Sequence, residues 1–302
     1  MGQELVSRSV FTIRNTDTDV RGVLTPALTL RAAETGRFTW LTIKADDKGT
    51  NIFQLVAKKS QFYVVKSTLT EVYRYVTIGD ELLVETSVQK VGERSFALAT
   101  NTFHVKRSSH TTESFVPRDE IILLLIPSKV LVGQSGRSEN MDIELKGFLN
   151  RQIVYNPDLQ DFPIDEMKSL ETYVQKYKIR MSDIDTLNHV NNAKYMDYMD
   201  DTRLRASTSG FIRVDQSRTD DISYASLKRS NVDYMDQCRV GEEIEVSLRY
   251  RRIDGNDDAL DTYFEIRRAD VTGDKKRILC RARVEWNLKR PQTAWSNPKP
   301  KL

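Results

Sequence analysis

The sequence predicts an α+β protein made of two copies of one unit, a small antiparallel sheet wrapped on a central helix. Three observations predict it. Asp17-Thr-Asp19-Val-Arg-Gly-Val23 is matched by Asp183-Ile-Asp185-Thr-Leu-Asn-His189 at an offset of 166 residues. Ile78-Gly79-Asp80-Glu81 is matched by Val240-Gly241-Glu242-Glu243 at an offset of 162. After each Gly-acidic turn the sequence alternates, with Leu82, Val84, Thr86 and Val88 on one side in the first copy and Ile244, Val246, Leu248 and Tyr250 in the second. An order of acidic loop, helix, strand, turn and strand that recurs at nearly equal spacing marks an internal repeat. Period-two alternation marks strands with one buried face.

In the first copy, Leu30 to Leu41 reads as a helix rich in aliphatic and aromatic residues, suited to core packing or to lining a pocket. Ile121 to Ile126 is the longest apolar run, too short to span a membrane and flanked by Arg118, Asp119 and Glu120, so it reads as a buried strand. Gln134 to Asn140 and Asn156 to Pro163 are polar and loop-like, which places an interdomain connection at about residues 128–170, after a first domain of residues 1–127. The second domain, residues 171–290, opens with the acidic loop and a helix whose apolar face begins at Ala193, Met196 and Met199. Its alternating strand turns Glu243, Glu245, Ser247 and Arg249 outward. Asp254-Gly255-Asn256 and Thr272-Gly273-Asp274 are turn chemistry. The last strand has Ile278, Cys280, Ala282, Val284 and Trp286 on one side and Leu279, Arg281, Arg283 and Glu285 on the other. Residues 291–302, with three prolines and two lysines, read as a flexible basic tail.

Composition narrows the function. A net charge of +3 gives no electrostatic case for nucleic acid. Two cysteines, Cys238 and Cys280, are too few for a disulfide framework and fit a reducing compartment. No secretory signal opens the sequence, and Gly2 lacks the Ser or Thr that myristoylation needs at Val6. A cytoplasmic protein is the default expectation, with an organelle transit peptide removed beforehand as the alternative. No HExxH pair, phosphate loop, dinucleotide fingerprint or G-x-S-x-G elbow is present, so no metal or cofactor is expected. A calcium loop counted from Asp183 puts Leu187 and Asn188 at its fifth and sixth positions and lacks the closing Glu.

The chemistry concentrates at DIDTLNHVNNAKY, residues 183–195, which sets acids, a histidine and three asparagines just ahead of a helix. A helix start offers unpaired N–H groups and partial positive charge to a carbonyl oxygen that gains charge. Asp185, four residues before His189, is a base or nucleophile beside those donors, or simply a helix-entry acid. His189 is either part of that chemistry or a packed imidazole. Asn191 and Asn192 are candidate site groups or caps, with Asn192 the favoured cap. Cys280 reads as inert packing.

The run DIDTLNHVNNAKYMDY resembles the helix-entry motif of hotdog-fold acyl thioesterases, and most of all the tandem-hotdog acyl-ACP thioesterases of plants and bacteria. The preceding YKIRMSD fits the strand that enters the motif. Ile126 to Gly133 resembles the segment leaving the first hotdog, and Tyr234 to Cys238 resembles a catalytic-strand segment ending in Glu-Cys. The resemblance implies a tandem hotdog that hydrolyses an acyl thioester of acyl carrier protein or coenzyme A, acting as a monomeric pseudo-dimer or a homodimer. Its Asp-x-Asn-x-His motif places the acid on Asp185 and the histidine on His189, with Asn191 beside them and backbone N–H groups from Val190 to Asn192 holding the oxyanion. The motif's asparagine falls on Leu187, with Asn188 adjacent, and its Glu-Cys pair falls on Gln237 and Cys238, the latter read as pocket lining before nucleophile. Related hydratases resemble Asp-x-Asn-Pro-x-His, whose longer spacing and proline are absent here. The first copy keeps Asp19 but has Val23 in place of the histidine, so it reads as catalytically degenerate and as shaping the acyl pocket. The departures at Leu187 and Gln237 motivate the alternative of an inactive acyl-thioester-binding protein.

Overall fold

The computed structural model describes residues 6–19, 22–43, 49–57, 62–104, 121–132, 138–154, 162–213, 225–253, 255–269 and 277–288. The first copy contributes strands β1 (Ser7–Thr12), β2 (Phe62–Val72), β3 (Glu81–Val91), β4 (Ser95–His104) and β5 (Ile121–Val132), with helices α1 (Pro26–Leu41), α2 (Ile52–Ala57) and α3 (Ile143–Asn150). The second contributes β6 (Tyr173–Lys178), α4 (Asn192–Thr208), β7 (Ser226–Tyr234), β8 (Glu243–Ile253), β9 (Asn256–Arg268) and β10 (Ile278–Asn287). The two expected sheets are joined edge to edge into one ten-stranded sheet of order β1-β3-β4-β5-β2-β7-β10-β9-β8-β6. Read inward from either end the order is the same, so the β2–β7 junction carries a pseudo-two-fold axis. Its antiparallel register, Ser67 opposite Asp233 and Glu71 opposite Arg229, relates the halves at an offset of 162.

Each main helix starts where its sequence stops it from starting earlier. Thr25 caps α1 by accepting the Leu28 N–H at 3.3 Å, and Pro26 follows at the first helical position, where its missing N–H costs nothing. The helix presses on β3 so closely that a Cβ on Gly36 would meet Thr86 and Val84 at 2.7 Å. Helix α4 buries Ala193, Tyr195, Met196, Met199 and Ala206, and it packs on α1 as well as on β6 and β8. One apolar cluster therefore spans both halves, joining Met196, Met199, Phe264 and Trp286 to Ala27, Leu30 and Ala33 of α1. Each large side chain so buried contributes about 1.5–3 kcal/mol.

The expected inner face of β3, Leu82, Val84, Thr86 and Val88, is buried, although Leu83 and Ser87 on the opposite face are buried too; the alternation holds in β8, where Ile244, Val246 and Leu248 are buried and Tyr250 half-buried. In β10 Cys280, Ala282, Val284 and Trp286 of the expected inner face are buried and Ile278 is half-buried, but Leu279 and Glu285 on the other side are buried too. A register shift between Ile278 and Cys280 brings Leu279 into the core beside Cys280. Glu285 is paired with Lys228 at 2.7 Å and Arg229 at 2.5 Å, and Phe162 lies under the guanidiniums of Arg229 and Arg283. Charge and an aromatic cap thus cover what the pattern left open.

The expected boundary at residue 127 falls inside β5, and the expected linker carries α3. Leu145, Phe148 and Leu149 of α3 pack on Trp40, Leu41, Phe96 and Leu98, and Ile153 bridges to Val88, so the first unit extends at least that far. Gly255, at φ +74, lies between β8 and β9, where a turn was expected, and Asp254 lies outside the described residues. The expected 272–274 turn, the basic tail and most of both linker loops lie outside the described residues. Among the described residues no helix is long and apolar enough to cross a membrane.

Candidate functional site

The candidate loop hangs from a buried acid. Asp183 accepts the Arg180 N–H at 2.8 Å and the Tyr198 hydroxyl at 2.7 Å on one oxygen, and its carbonyl accepts the Asn191 N–H at 2.9 Å. These bonds fix the two ends of the loop. Between them the Asp185 N–H donates to the His189 carbonyl at 2.9 Å, and the Asn188 N–H donates to the Asp185 carbonyl at 3.1 Å. Closing so short a loop forces Asn188 to φ +62, a left-handed conformation that asparagine tolerates better than most residues. The Asp185 side chain turns back and accepts the Leu187 N–H at 2.8 Å, an Asx turn, and the same oxygen lies 3.4 Å from His189 Nδ1. Asp185 and His189 are thereby brought together at the mouth of α4. The Leu187 side chain is 56% exposed, so it packs neither in the core nor under the helix.

The helix start corrects two expectations. Asn191, not Asn192, is the cap: its Oδ1 accepts the Ala193 N–H at 2.9 Å, and Asn192 opens the helix. Of the three N–H groups expected to face an oxyanion, Val190 donates to the Cys238 carbonyl and Asn191 to the Asp183 carbonyl, both at 2.9 Å. The Asn192 N–H has no partner among the described residues and is the donor left for a ligand.

Sequence reasoning missed Glu34. This α1 residue reaches across from the first half, and the Asn191 Nδ2 donates to both of its carboxylate oxygens at 3.1 Å. The two residues lie 157 apart in the chain, and no local pattern announces such a contact. On the other flank the Cys238 thiol donates to Glu242 at 2.9 Å. Burial first, then the hydrogen bond and charge of Glu242, push that thiol up to about 12, which keeps it protonated and unfit as a nucleophile near neutrality. Burial works against the Glu242 carboxylate, but the bonds from Cys238 and Arg239 and the charge of Arg268 outweigh it and lower its value. The Gln237 side chain is exposed, and its carbonyl accepts from Arg268 at 2.5 Å.

The first copy repeats the backbone bonds of this framework, while two side-chain bonds differ: Asp19 Oδ1 accepts the Val23 N–H at 3.2 Å, and Ala32 stands where Tyr198 would donate. Asp17 accepts the Arg14 N–H, Asp19 N–H donates to the Val23 carbonyl, Thr25 N–H to the Asp17 carbonyl and Leu24 N–H to the Val76 carbonyl. Gly22, at φ +75, takes the place of Asn188. Two substitutions change the groups this frame presents. Val23 stands for His189, and Pro26, which has no N–H, stands for Asn192. The second loss was legible in the repeat, since 26 and 192 share the offset of 166.

The copies also differ in how they are filled. Tyr195 and Tyr234 are buried beside the second loop, with ring centroids 5.9 Å apart, and burial raises both phenols. Their counterparts in the first copy are Thr29 and Val72. There a cavity of about 400 Å³ opens, walled by these two residues with Asp19, Val23, Leu204 and Leu227 among others. This cavity lies at the first loop, away from Asp185 and His189.

Residues 167–208, which include the whole second loop, match the family model of the acyl-ACP thioesterase C-terminal domain. No curated protein sequence matches the chain significantly. Among solved structures, a 12:0-ACP thioesterase from Umbellularia californica superposes with a TM-score of 0.70 at 18% identity, over 94% of each chain. An oleoyl thioesterase (putative) from Lactobacillus plantarum superposes at 0.68 with 15% identity, over 93% of this chain and 96% of the other. An acyl-ACP thioesterase from Bacteroides thetaiotaomicron superposes at 0.68 with 12% identity, over 93% of this chain and 98% of the other. At these identities the likeness is one of fold, from end to end of the chain.

Proposed function

We propose that this chain, which has the tandem hotdog fold of the acyl-ACP thioesterases and their C-terminal-domain signature across its second loop, hydrolyses an acyl thioester to a free acid and a thiol. Acyl carrier protein or coenzyme A is the thiol. One observation carries the reading: Asp185 and His189 meet at the mouth of α4, beside the unpartnered Asn192 N–H. An imidazole nitrogen and a carboxylate at that distance suit proton transfer, and a helix-start N–H suits a carbonyl oxygen gaining charge.

In this mechanism the Asp185 oxygen that is not engaged by Leu187 and His189 takes a proton from water as the water attacks the thioester carbon. The Asn192 N–H and the positive end of α4 hold the resulting oxyanion. His189 Nδ1 faces Asp185, which orients the ring. When the tetrahedral intermediate collapses, the C–S bond breaks and the proton held by Asp185 passes to the departing sulfur. Asn191 and Glu34 fix the helix start and do not touch the reacting atoms. A panel of acyl-CoA and acyl-ACP substrates, assayed for released thiol, tests the reading; thiol release at the uncatalysed rate across the panel would overturn it. The exposure of Leu187 and Gln237, where the resembled motifs carry asparagine and glutamate, favours a second reading in which the chain binds acyl thioesters without cleaving them. Tight binding without thiol release is its signature.

A further inference from the structure

Two buried tyrosines pack beside the second loop, and their hydroxyls have different surroundings. Tyr234, at the end of β7, donates its hydroxyl to the Asn192 carbonyl at 3.3 Å. The Tyr195 hydroxyl, on α4, has no hydrogen-bond partner among the described residues, although its ring lies 5.9 Å from that of Tyr234. The Tyr234 bond falls where the backbone direction matters. The Asn192 carbonyl shares a peptide plane with the Ala193 N–H, which donates to Asn191 Oδ1 at 2.9 Å, so that plane is held at both ends. On the other side of Asn192, the Asn191 carbonyl accepts the Lys194 N–H at 2.9 Å. That carbonyl shares its plane with the Asn192 N–H, the donor left for a ligand. The two planes together set the direction of this N–H. Tyr234 is a firm support for them, because β7 is an interior strand paired with β2 and β10. In the first half Val72 has no hydroxyl where Tyr234 has one, and Pro26 has no N–H where Asn192 has one. The hydroxyl and the donor it steadies are present together in one half and missing together in the other.

We propose that Tyr234 is a positioning residue for thioester hydrolysis, its hydroxyl fixing the helix start so that the Asn192 N–H points at the oxyanion. This rests on the hydrolytic reading and adds to it a group that touches no reacting atom. A carbonyl oxygen has two lone pairs, so the phenol bonds Asn192 without displacing the helical bond of α4. Burial raises the phenol above its ordinary value, so it stays neutral and exchanges no proton near neutrality. Its effect is on geometry alone. An oxyanion donor binds more strongly in the transition state than in the ground state, so an N–H aimed less well lowers kcat and leaves KM in place.

The neighbouring tyrosines supply a matched test, because Tyr→Phe removes one hydroxyl from each and keeps both rings packed. With an acyl-CoA or acyl-ACP that the parent cleaves, Tyr234→Phe is expected to lower kcat about tenfold with KM within about twofold, less than the 100-fold or more that follows loss of an oxyanion donor itself. Tyr195→Phe removes a hydroxyl without a partner, and its kcat is expected to stay within about twofold of the parent's. Unchanged kcat in Tyr234→Phe, equal losses in the two variants, or a loss that appears in KM would each overturn the proposal. A second readout needs no turnover. In the full chain labelled with ¹⁵N-asparagine, the Asn192 amide peak, identified by its absence in Asn192→Ala, is expected to move and to exchange with solvent faster in Tyr234→Phe than in Tyr195→Phe. An Asn192 amide unmoved by Tyr234→Phe sinks the positioning role. A parent that releases no thiol from any substrate defeats the hydrolytic reading instead, and the amide then decides alone whether Tyr234 sets this N–H.

Discussion

Asn191 adds a side-chain bond between the two halves to the strand pairing and the shared core, and its removal tests that contribution directly. In Asn191→Ala the cap bond to the Ala193 N–H is lost, which costs about 1 kcal/mol. The bonds to Glu34 go as well. Hydrogen bonds to charged groups contribute about 1.5–3 kcal/mol when buried, but Glu34 is partly exposed and one nitrogen serves both oxygens, so about 1 kcal/mol is the reasonable figure here. The expected total is about 2 kcal/mol, or a fall in Tm of about 4 °C for a chain of this size. Glu34→Ala is expected to cost about 1 kcal/mol, and the double variant no more than Asn191→Ala alone, because the cap bond is the only independent contribution left. Asn192→Ala serves as the control, with an expected change within about 0.5 kcal/mol. Urea denaturation of the four variants and the parent gives the cycle. A coupling between Glu34 and Asn191 below about 0.3 kcal/mol would refute the cross-half latch, and equal losses from Asn191→Ala and Asn192→Ala would refute the cap assignment.

Asp185→Asn keeps the shape of the loop and removes the base, so turnover is expected to fall at least about 100-fold with the fold intact, whereas Asp19→Asn is expected to leave turnover nearly unchanged. Equal losses from the two in a thiol-release assay would make the halves equivalent. Leu187→Asn places an amide on an exposed site, so stability is expected to hold within about 0.5 kcal/mol while turnover rises if the amide orients water. Steady-state kinetics beside thermal unfolding test this, and a slower variant of unchanged stability counts against a missing-asparagine account. The Cys238 thiol stands at about 12 against an ordinary 9.0, so the protonated form is favoured by folding. That stabilisation is present below about pH 9 and is lost as pH rises toward 12. The parent is therefore expected to lose stability relative to Cys238→Ala across that window, and Cys238→Ala is expected to keep turnover within about threefold; a collapse of turnover would restore Cys238 as a nucleophile.

What the sequence made legible follows from what repeats. The matching acids at 17 and 183 and the paired Gly-acidic turns are visible because each half must close the same loop with the same backbone bonds, and identical geometry selects similar residues. The same comparison held Pro26 against Asn192, a signal that needed only the offset and the knowledge that proline lacks a donor. Glu34 and Asn191 were beyond reach because their contact depends on how α1 and α4 cross, which no local period encodes. Helix α3 was hidden for a different reason: Leu145, Phe148 and Leu149 have helical spacing but sit in a polar stretch that reads as linker. The cap went to the wrong neighbour, Asn192, because adjacent asparagines are chemically identical and only the backbone turn at φ −59, ψ 137 distinguishes Asn191.

The β2–β7 junction has a consequence for how such a protein can change. Were the two halves separate copies of one polypeptide paired through the same strands, every substitution would occur twice. A valine in place of the histidine, or a proline at the helix start, would silence both loops together. Because the halves here are a single chain with two loops encoded separately, Val23 and Pro26 can coexist with His189 and Asn192. Covalent fusion thus releases one half from the demands of the other, and the two loops can diverge without disturbing the strand pairing that joins them.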